Sequence, residues 1–429
     1  MRRGALVAVA TVAGLAGAAT ADPLDDFGFG GAAAATAGAR TATAVGPEAA
    51  HYNPAGVALG DDPAVMLGWG HGSMLLEING RDAEVLDARG TAMGLAVPVR
   101  ISDTWTLGAG IALYLPDQFL ARVQLIPSTE PHFVLLDNDP HRAVVEPVAA
   151  AAYGDKVGFG VGASVFADAR SRKLTFDVGV VAGEKVGEAE LDIELPVRLA
   201  PLVGLWLRPH PRVRAGLTYR GELSLDLDLD ILTNVEVAGV VTGDVLVSIR
   251  ATNYFTPMRL GGGIAVDVLP QLTLSGDLTW SRWSTYPAPS DLAVLIALDL
   301  TPPLVSTGLP APAFTDTVTG RLGLELRRPG KHTDVAVRAG GAWMPSPVPA
   351  QTGLTSYADG DRLLLSTGIG VRLADWAPIL TRPIDLDLAV QWQRVADQLT
   401  RKEAGMFPGQ AFSSGGSIIH AAVSGTVSF

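Results

Sequence analysis

The feature that most constrains this chain is a recurring run of about ten residues in which apolar and polar side chains alternate with a period of two. In 272–280, Leu272, Leu274, Leu278 and Trp280 share one face, opposite Thr273, Ser275, Asp277 and Thr279. Ile384, Leu386, Leu388, Val390 and Trp392 likewise oppose Asp385, Asp387, Gln391 and Gln393, while Val318, Leu322, Leu324 and Leu326 oppose Thr319, Arg321, Glu325 and Arg327. Successive side chains of a strand point to opposite faces, so each run predicts a strand with one apolar face. About ten residues is also the length a tilted strand needs to cross a bilayer. Beyond the N-terminal region no apolar stretch is long enough for a spanning helix, although 48% of the residues are hydrophobic.

A soluble sheet alternates too, with its polar face outward, and the connections separate the two cases. Short ones fall at 101–103, 154–156, 209–211, 269–271 and 329–332, with a somewhat longer one at 374–383; long ones fall at 116–142, 168–194, 225–255, 284–316, 345–361 and 396–417. Short periplasmic turns and long outer loops predict an all-β fold, a transmembrane antiparallel β-barrel of about fourteen strands with both ends in the periplasm. Trp105, Trp206 and Trp376 lie near short turns, and Trp280, Trp283, Trp343 and Trp392 near long loops, as two interfacial girdles would require.

The ends carry addresses. Arg2 and Arg3 precede an apolar run of small residues, 5–19, and then Ala19-Thr20-Ala21, so 1–21 reads as a signal peptide cleaved before Asp22. The last ten residues alternate small or polar with apolar and stop on Phe429, the ending that barrel-assembly machinery reads on outer-membrane barrels. There is no cysteine, so neither disulfides nor thiolate metal sites are expected. A formal charge of −12, more negative once Arg2 and Arg3 leave, argues against a nucleic-acid partner.

Residues 22–62 lack the strand pattern; an alanine-rich run with Phe27, Phe29 and Tyr52 predicts a small packed element, followed by the barrel from 63 to 429. No phosphate-binding loop, zinc-protease or hydrolase motif is present, so neither an enzyme nor a cofactor is expected. Gly261-Gly262-Gly263 reads as a bend or a close approach in a strand rather than a nucleotide loop. Asp226, Asp228 and Asp230 fall on one side of an extended segment, either a hard-cation site or a solvated face. Inward positions carry Arg214, Arg220, Arg259, Asp277, Arg321, Glu325, Arg338, Arg372 and Asp385, which either pair across the lumen or offer one arginine to a ligand carboxylate.

Tyr52-Asn53-Pro54-Ala55-Gly56 resembles the Asn-Pro-Ala motif of the outer-membrane long-chain fatty-acid transporter (FadL) family, where it closes an N-terminal hatch plugging the barrel. Phe255-Thr256-Pro257-Met258-Arg259 is similar to that family's Thr-Pro strand start, 277–284 to its paired-Trp strand, and 345–349 with 359–362 to its Pro-rich loop and Asp-Arg strand start. The resemblance implies a hatch at 22–62 inside the lumen, with Asn53, Pro54 and Ala55 as its motif, and uptake of hydrophobic compounds such as long-chain fatty acids by loop capture, lumen binding, and lateral or hatch-gated release. Pro54 fixes its own φ and restricts Asn53 to extended or turn backbone, which suits a stiff element. The expected ligand surfaces are Phe119, Leu120, Phe133, Val134 and Leu135 in one outer loop, and Ile231, Leu232, Val235 and Val237 in another. The expected partners are a hydrophobic small molecule, outer-membrane lipid and the assembly machinery, with the barrel a monomer. The alternatives are a general diffusion porin, an adhesion or interaction barrel, and an outer-membrane enzyme.

Overall fold

The computed structural model describes residues 16–17, 23–118, 125–126, 128–136, 143–167, 170–181, 184–186, 189–194, 197–237, 241–287, 290–298, 304–305, 312–374, 382–403 and 411–429. Of these, 16–17, 125, 167, 170–181, 184–186, 189–194, 225–237, 241–253, 290–298 and 304–305 are described by backbone alone. The expected signal peptide therefore lies outside the described residues apart from 16–17.

Alternating sequence becomes a ring of antiparallel strands: β1 (Ala64–Ile78), β2 (Ala88–Arg100), β3 (Trp105–Pro116), β4 (Val144–Tyr153), β5 (Val157–Ala167), β6 (Val197–His210), β7 (Val213–Arg220), β8 (Arg259–Leu269), β9 (Leu272–Ser281), β10 (Thr317–Arg328), β11 (Thr333–Met344), β12 (Arg362–Leu373), β13 (Ile384–Arg401) and β14 (Ala411–Ser428). Each pairs with its neighbours in sequence, and β14 returns to β1 in a ladder from Ala64↔Ser428 to Ile78↔Ser414, so no edge is left open. The fourteen strands match the expectation from periodicity and loop lengths.

The burial pattern inverts that of a soluble sheet. On β1, Val65, Leu67, Trp69 and Leu75 are exposed, while Met66, Met74 and Leu76 are buried toward the lumen. On β10, Leu322 is 71% exposed beside exposed Val318, Leu324 and Leu326, while Arg321 and Glu325 turn inward. An apolar outside around a polar inside is the surface of a membrane-spanning barrel. No described helix is long and apolar enough to cross a membrane; the strands cross it. The chain's end lies at the short-turn side, where the Phe429 amide donates to the Pro63 carbonyl at 2.8 Å.

Three of the expected loops are not irregular. Leu223–Val237 and Val241–Thr256 form a long hairpin that continues β7 and β8 outward, joined on one side in parallel by Arg170–Val181 and on the other in antiparallel by Ser290–Leu298. The two-residue alternation of 225–230 already carried part of this strand, but it lies beyond the length needed to span the bilayer and so reads as a loop when only spanning strands are counted. The 396–417 connection is similarly shortened, because β13 runs on to Arg401 past a register shift after Val395.

The girdles are partly as expected. Trp69, Trp105, Trp343 and Trp392 are exposed on the outer surface. Trp206, expected in a girdle, instead turns into the lumen, where its Nε1 donates to the Ala42 carbonyl at 3.0 Å. Trp283 is buried among loop aromatics. A short-turn or loop-side position in sequence sets a tryptophan's height along the strand but not the face it takes. Trp376 lies outside the described residues.

Inside the ring sits the N-terminal segment: α1 (Pro23–Phe27), α2 (Gly31–Ala35), a 3₁₀ turn at Gly46–Glu48, α3 (Ala49–Tyr52) and a 3₁₀ stretch at Pro54–Leu59. The alanine run forms only one short helix, because Ala37 and Gly38 both take positive φ and end it.

Candidate functional site: the plugged lumen and its apolar mouth

Asn53 heads the 3₁₀ stretch with extended backbone (φ −158°, ψ 102°), one of the conformations that the following proline allows. Its side chain is fully buried. Its Oδ1 accepts from the Ala55 amide at 3.3 Å, and its Nδ2 donates to the carbonyls of Thr41 at 2.9 Å and Leu205 at 3.1 Å. One side chain thereby caps a turn, ties two parts of the plug together and fixes both to β6. Pro54 and Ala55 are buried beside it.

The wall they meet is stripped of side chains. A Cβ at Gly160 would lie 2.4 Å from the Pro54 carbonyl carbon, one at Gly204 would lie 2.1 Å from Asn53 Oδ1, and one at Gly108 would lie 2.8 Å from the Ala58 amide. Across the lumen, Gly340 and Gly368 receive the backbone of Thr36–Ala37 and the Ala35 methyl in the same way. Polar groups of the wall then fasten what the glycines admit: Gln391 Nε2 donates to Ala34 O at 2.8 Å, Gln393 Nε2 to Asp26 O at 2.9 Å, and Ser366 Oγ to Ala35 O at 2.9 Å. The plug's alanines and the wall's glycines are two halves of one close packing. At Gly263, expected to mark a close approach, an added Cβ would lie 2.2 Å from Asp277 Oδ1 and 2.8 Å from the Thr41 Cβ.

At the outer end of the plug lies a layer of charge. Glu146, fully buried, accepts from Arg220 at 2.6 Å and Ser164 at 3.0 Å and meets His51 Nδ1 at 2.8 Å; Arg220 also donates to the His51 carbonyl. Asp25 pairs with Arg259, and Asp26 with Arg362 at 3.1 Å. Arg40 joins Glu48 within the plug, and on the wall Arg338 joins Glu325 at 2.6 Å and Asp387 at 2.5 Å and Arg214 joins Asp267. Most of the inward charges expected either to pair across the lumen or to offer an arginine to a ligand are paired, but with nearby strands or with the plug rather than across the lumen. Arg321 is the exception: among the described residues it has no hydrogen-bond or ion-pair partner, and it lines a cavity shared with Tyr52, Asp25, Arg259 and Asp277.

Above the charge layer the mouth is apolar. Phe255, Trp283, Tyr286, Phe314 and Tyr357 cluster with Val134 and Leu135; Tyr286 and Phe314 stack with centroids 4.5 Å apart. Phe133 is buried in an adjoining cluster with Leu136, Phe412 and Leu76. The 128–136 segment is held over the mouth by a short parallel pairing of His132–Phe133 with Tyr357–Ala358, by the Ser356 amide donating to the Ser128 carbonyl at 2.7 Å, and by the Tyr357 hydroxyl donating to Ser128 Oγ at 3.0 Å. Burial lowers the His132 imidazole to about 4, against the opposing pull of its Nδ1 contact with the Glu130 carbonyl. Burial likewise raises the Tyr357 phenol and the Asp359 carboxyl.

Of the residues expected to meet ligand, Phe133, Val134 and Leu135 therefore come together, as buried members of this cap rather than as an exposed capture surface. Phe119 and Leu120 lie outside the described residues. Ile231, Leu232, Val235 and Val237 belong to the outer hairpin, and their side chains, with those of Asp226, Asp228 and Asp230, lie outside the description. Sequence reasoning missed the glycine wall, Asp25, Asp26, His51 and Glu146. The wall had a legible signal, glycine at alternate inward positions such as Gly158 and Gly160, whereas a lone Glu146 had none.

No protein-family model and no curated protein sequence matches the chain. Solved structures do match its fold. A Pseudomonas aeruginosa FadL homologue aligns over 94% of this chain and 98% of its own, at 16% identity and a TM-score of 0.58. The Ralstonia pickettii toluene transporter TbuX covers 94% and 99% at 17% identity and 0.52. The P. putida toluene transporter TodX covers 94% and 99% at 16% identity and 0.52. Plug, fourteen-stranded ring and long outer connections together give this chain the fold of the FadL-type barrels.

Proposed function

We propose that the chain is an outer-membrane channel for uptake of hydrophobic compounds, with long-chain fatty acids as the leading class and neutral monoaromatics as the principal competitor. The observation that carries this reading is the aromatic and aliphatic cluster at the mouth of a plugged lumen. Such a mouth attracts apolar solutes because transfer out of water is favourable in proportion to the apolar area buried. The plug removes the open aqueous path that a diffusion porin needs, which weighs against that alternative. Two of the fold neighbours are toluene transporters, which supports the hydrophobic class without separating acid from hydrocarbon. In this account the buried cap parts to take in the molecule, Asn53, Pro54 and Ala55 belong to the element that must shift, and the wall beside the plug is where passage occurs. Native mass spectrometry of the barrel purified in mild detergent tests it. A bound fatty acid or aromatic hydrocarbon is the expected result; a barrel that neither retains nor takes up any hydrophobic compound when challenged contradicts the reading.

A further inference from the structure

The lipid-facing surface of the barrel carries a polar trio that lipid contact does not explain. Along β1 the outward face runs through Val65, Leu67 and Trp69 toward the long-loop end, changes to His71 and Ser73, and returns to an apolar residue at Leu75. His71 Nε2 lies 3.1 Å from Ser73 Oγ and 3.5 Å from Asp87 Oδ2. Asp87 immediately precedes β2, and its other oxygen accepts from the Met74 amide at 3.0 Å, which holds the carboxylate in place. His71 Nδ1 is buried without a hydrogen-bond partner among the described residues. The ring is set instead by Trp69, which lies parallel to it with centroids 6.1 Å apart and whose Nε1 donates to Asp117 Oδ2 at 2.7 Å. About a third of the His71 side chain, 32%, is open on the lipid side. Arg89 is the cross-strand partner of His71 on the same face, and Ser73 is that of Ile419, itself beside Trp392. An ionisable side chain facing lipid is costly, which makes a functional use the default reading.

We propose that Ser73 and His71 form a catalytic pair that hydrolyses long-chain carboxylic esters of outer-leaflet lipids, with Asp87 as a positioning residue. Ser73 Oγ attacks the ester carbonyl carbon as its proton passes to His71 Nε2, which is within the reach that general-base catalysis needs. The imidazolium so formed lies beside the Asp87 carboxylate. At 3.5 Å that contact is longer than a normal hydrogen bond, and its part is to stabilise the charge on the ring. Collapse of the tetrahedral adduct breaks the ester C–O bond, the leaving alkoxide takes the proton from His71, and the acyl group stays on Ser73. Water then gives a proton to His71 and its hydroxyl to the acyl carbon, and the proton returns to Ser73 as the acid leaves, so one ester and one water yield one acid and one alcohol. Arg89 supplies positive charge on the same face for the carbonyl oxygen as it becomes negative. The acyl chain has exposed Leu67, Ile419 and Val423 to lie against. This activity goes beyond the uptake reading and does not depend on it.

The test is hydrolysis by the full-length barrel reconstituted in vesicles. One arm uses phosphatidylethanolamine–phosphatidylglycerol vesicles and the other uses vesicles containing lipopolysaccharide, with released fatty acid and deacylated lipid read by mass spectrometry. Cleavage in one arm alone names the lipid, and cleavage in both assigns the site to acyl esters generally. Ser73→Ala and His71→Gln should each lower the rate at least about a hundredfold while migrating as folded barrels on unheated gels. A fluorophosphonate should label Ser73 in wild type, as mapped by peptide mass spectrometry, and fail to label it in His71→Gln. Asp87→Asn keeps an acceptor for the Met74 amide and removes the charge, so kcat should fall at least about tenfold with KM unchanged, and Asp87→Glu should recover part of the loss. A wild type that releases no fatty acid in either arm and leaves Ser73 unlabelled, or hydrolysis that persists unchanged in a folded Ser73→Ala, overturns the proposal and makes His71, Ser73 and Asp87 an interfacial polar patch beside Trp69.

Discussion

Replacing Gly160 by alanine should unseat the plug while leaving the barrel intact. The added methyl would lie 2.4 Å from the Pro54 carbonyl carbon, 2.5 Å from the Ala55 amide nitrogen and 2.7 Å from the Pro54 Cβ. Optimal carbon contacts lie at about 3.5–4.0 Å, so the plug must retreat by roughly 1 Å at its most closely packed point. Two of those atoms are backbone, and no rotamer change relieves them. Overpacking of this kind costs about 1–3 kcal/mol. The three hydrogen bonds of Asn53 that hold the same point contribute about 1 kcal/mol each, so the strain matches the anchor it opposes. A shift of about 3 kcal/mol changes the ratio of seated to unseated plugs by roughly two orders of magnitude. Gly320→Ala is the control: it adds the same methyl to a barrel strand, but its nearest neighbour is the Leu278 Cδ2 at 3.7 Å, an ordinary contact. Planar-bilayer recording should show a silent wild type, a silent Gly320→Ala and frequent openings in Gly160→Ala, with all three migrating as folded barrels on unheated gels. Silence in Gly160→Ala equal to that of the control would refute the claim that the glycine wall is shaped to the plug.

Further outcomes follow from the same contacts. Asn53→Ala removes a cap and the bonds to the Thr41 and Leu205 carbonyls, at a cost of about 2–3 kcal/mol in plug anchoring, which faster hydrogen exchange at 41 and 55 should report; unchanged exchange would remove Asn53 from that role. Leu322→Arg puts a charge on the lipid face at a cost of about 2–4 kcal/mol near the bilayer midplane, so its yield of folded barrel in membranes should fall well below that of a polar change at the neighbouring inward position, and equal yields would mean the outside is not lipid-facing. Truncating both Phe255 and Trp283 to alanine opens the mouth cluster and should weaken binding of a hydrophobic probe by at least about tenfold, measured by calorimetry; unaltered affinity would place capture elsewhere. His132 is neutral when buried at about 4 and near 6.5 when undocked, so the undocked segment takes up the proton between these values and docking of 128–136 weakens as pH falls from about 6.5 to about 4, by up to roughly 3 kcal/mol. Asp359, raised by burial, acts in the opposite sense, so the assay is amide exchange over 128–136 at pH 7 and 4.5 in wild type and His132→Phe, with a flat wild-type profile as the contrary result.

Period-two alternation was enough to identify the ring because lipid imposes it: a spanning strand such as β10 must present Val318, Leu322, Leu324 and Leu326 on one side whatever the lumen contains. The same rule is silent about strands that leave the bilayer, which is why only 225–230 of Leu223–Val237 reads as extended, inside a connection counted as a long loop, until its ladder with Val241–Thr256 is seen. Asn53 and Pro54 were legible because they match a short motif and because the backbone restriction that Pro54 imposes is local, whereas the capping role of Asn53 shows only in the structure. The partners of Asp25 and His51 were not, since Arg259 and Glu146 lie far away along the chain and only barrel closure brings them together. The face taken by Trp206 was equally hidden, because a tryptophan serves a lipid interface or a lumen contact equally well and only the Ala42 carbonyl decides.

The central claim is that this barrel moves hydrophobic compounds inward past its plug. The most direct measurement is uptake of labelled oleate and labelled toluene by cells lacking the chain and by the same cells complemented with wild type or Asn53→Ala. The account predicts that deletion lowers uptake of at least one compound, that wild type restores it, and that Asn53→Ala alters its rate. Uptake of both compounds, and of every other hydrophobic compound tried, that is unchanged by deletion would contradict it.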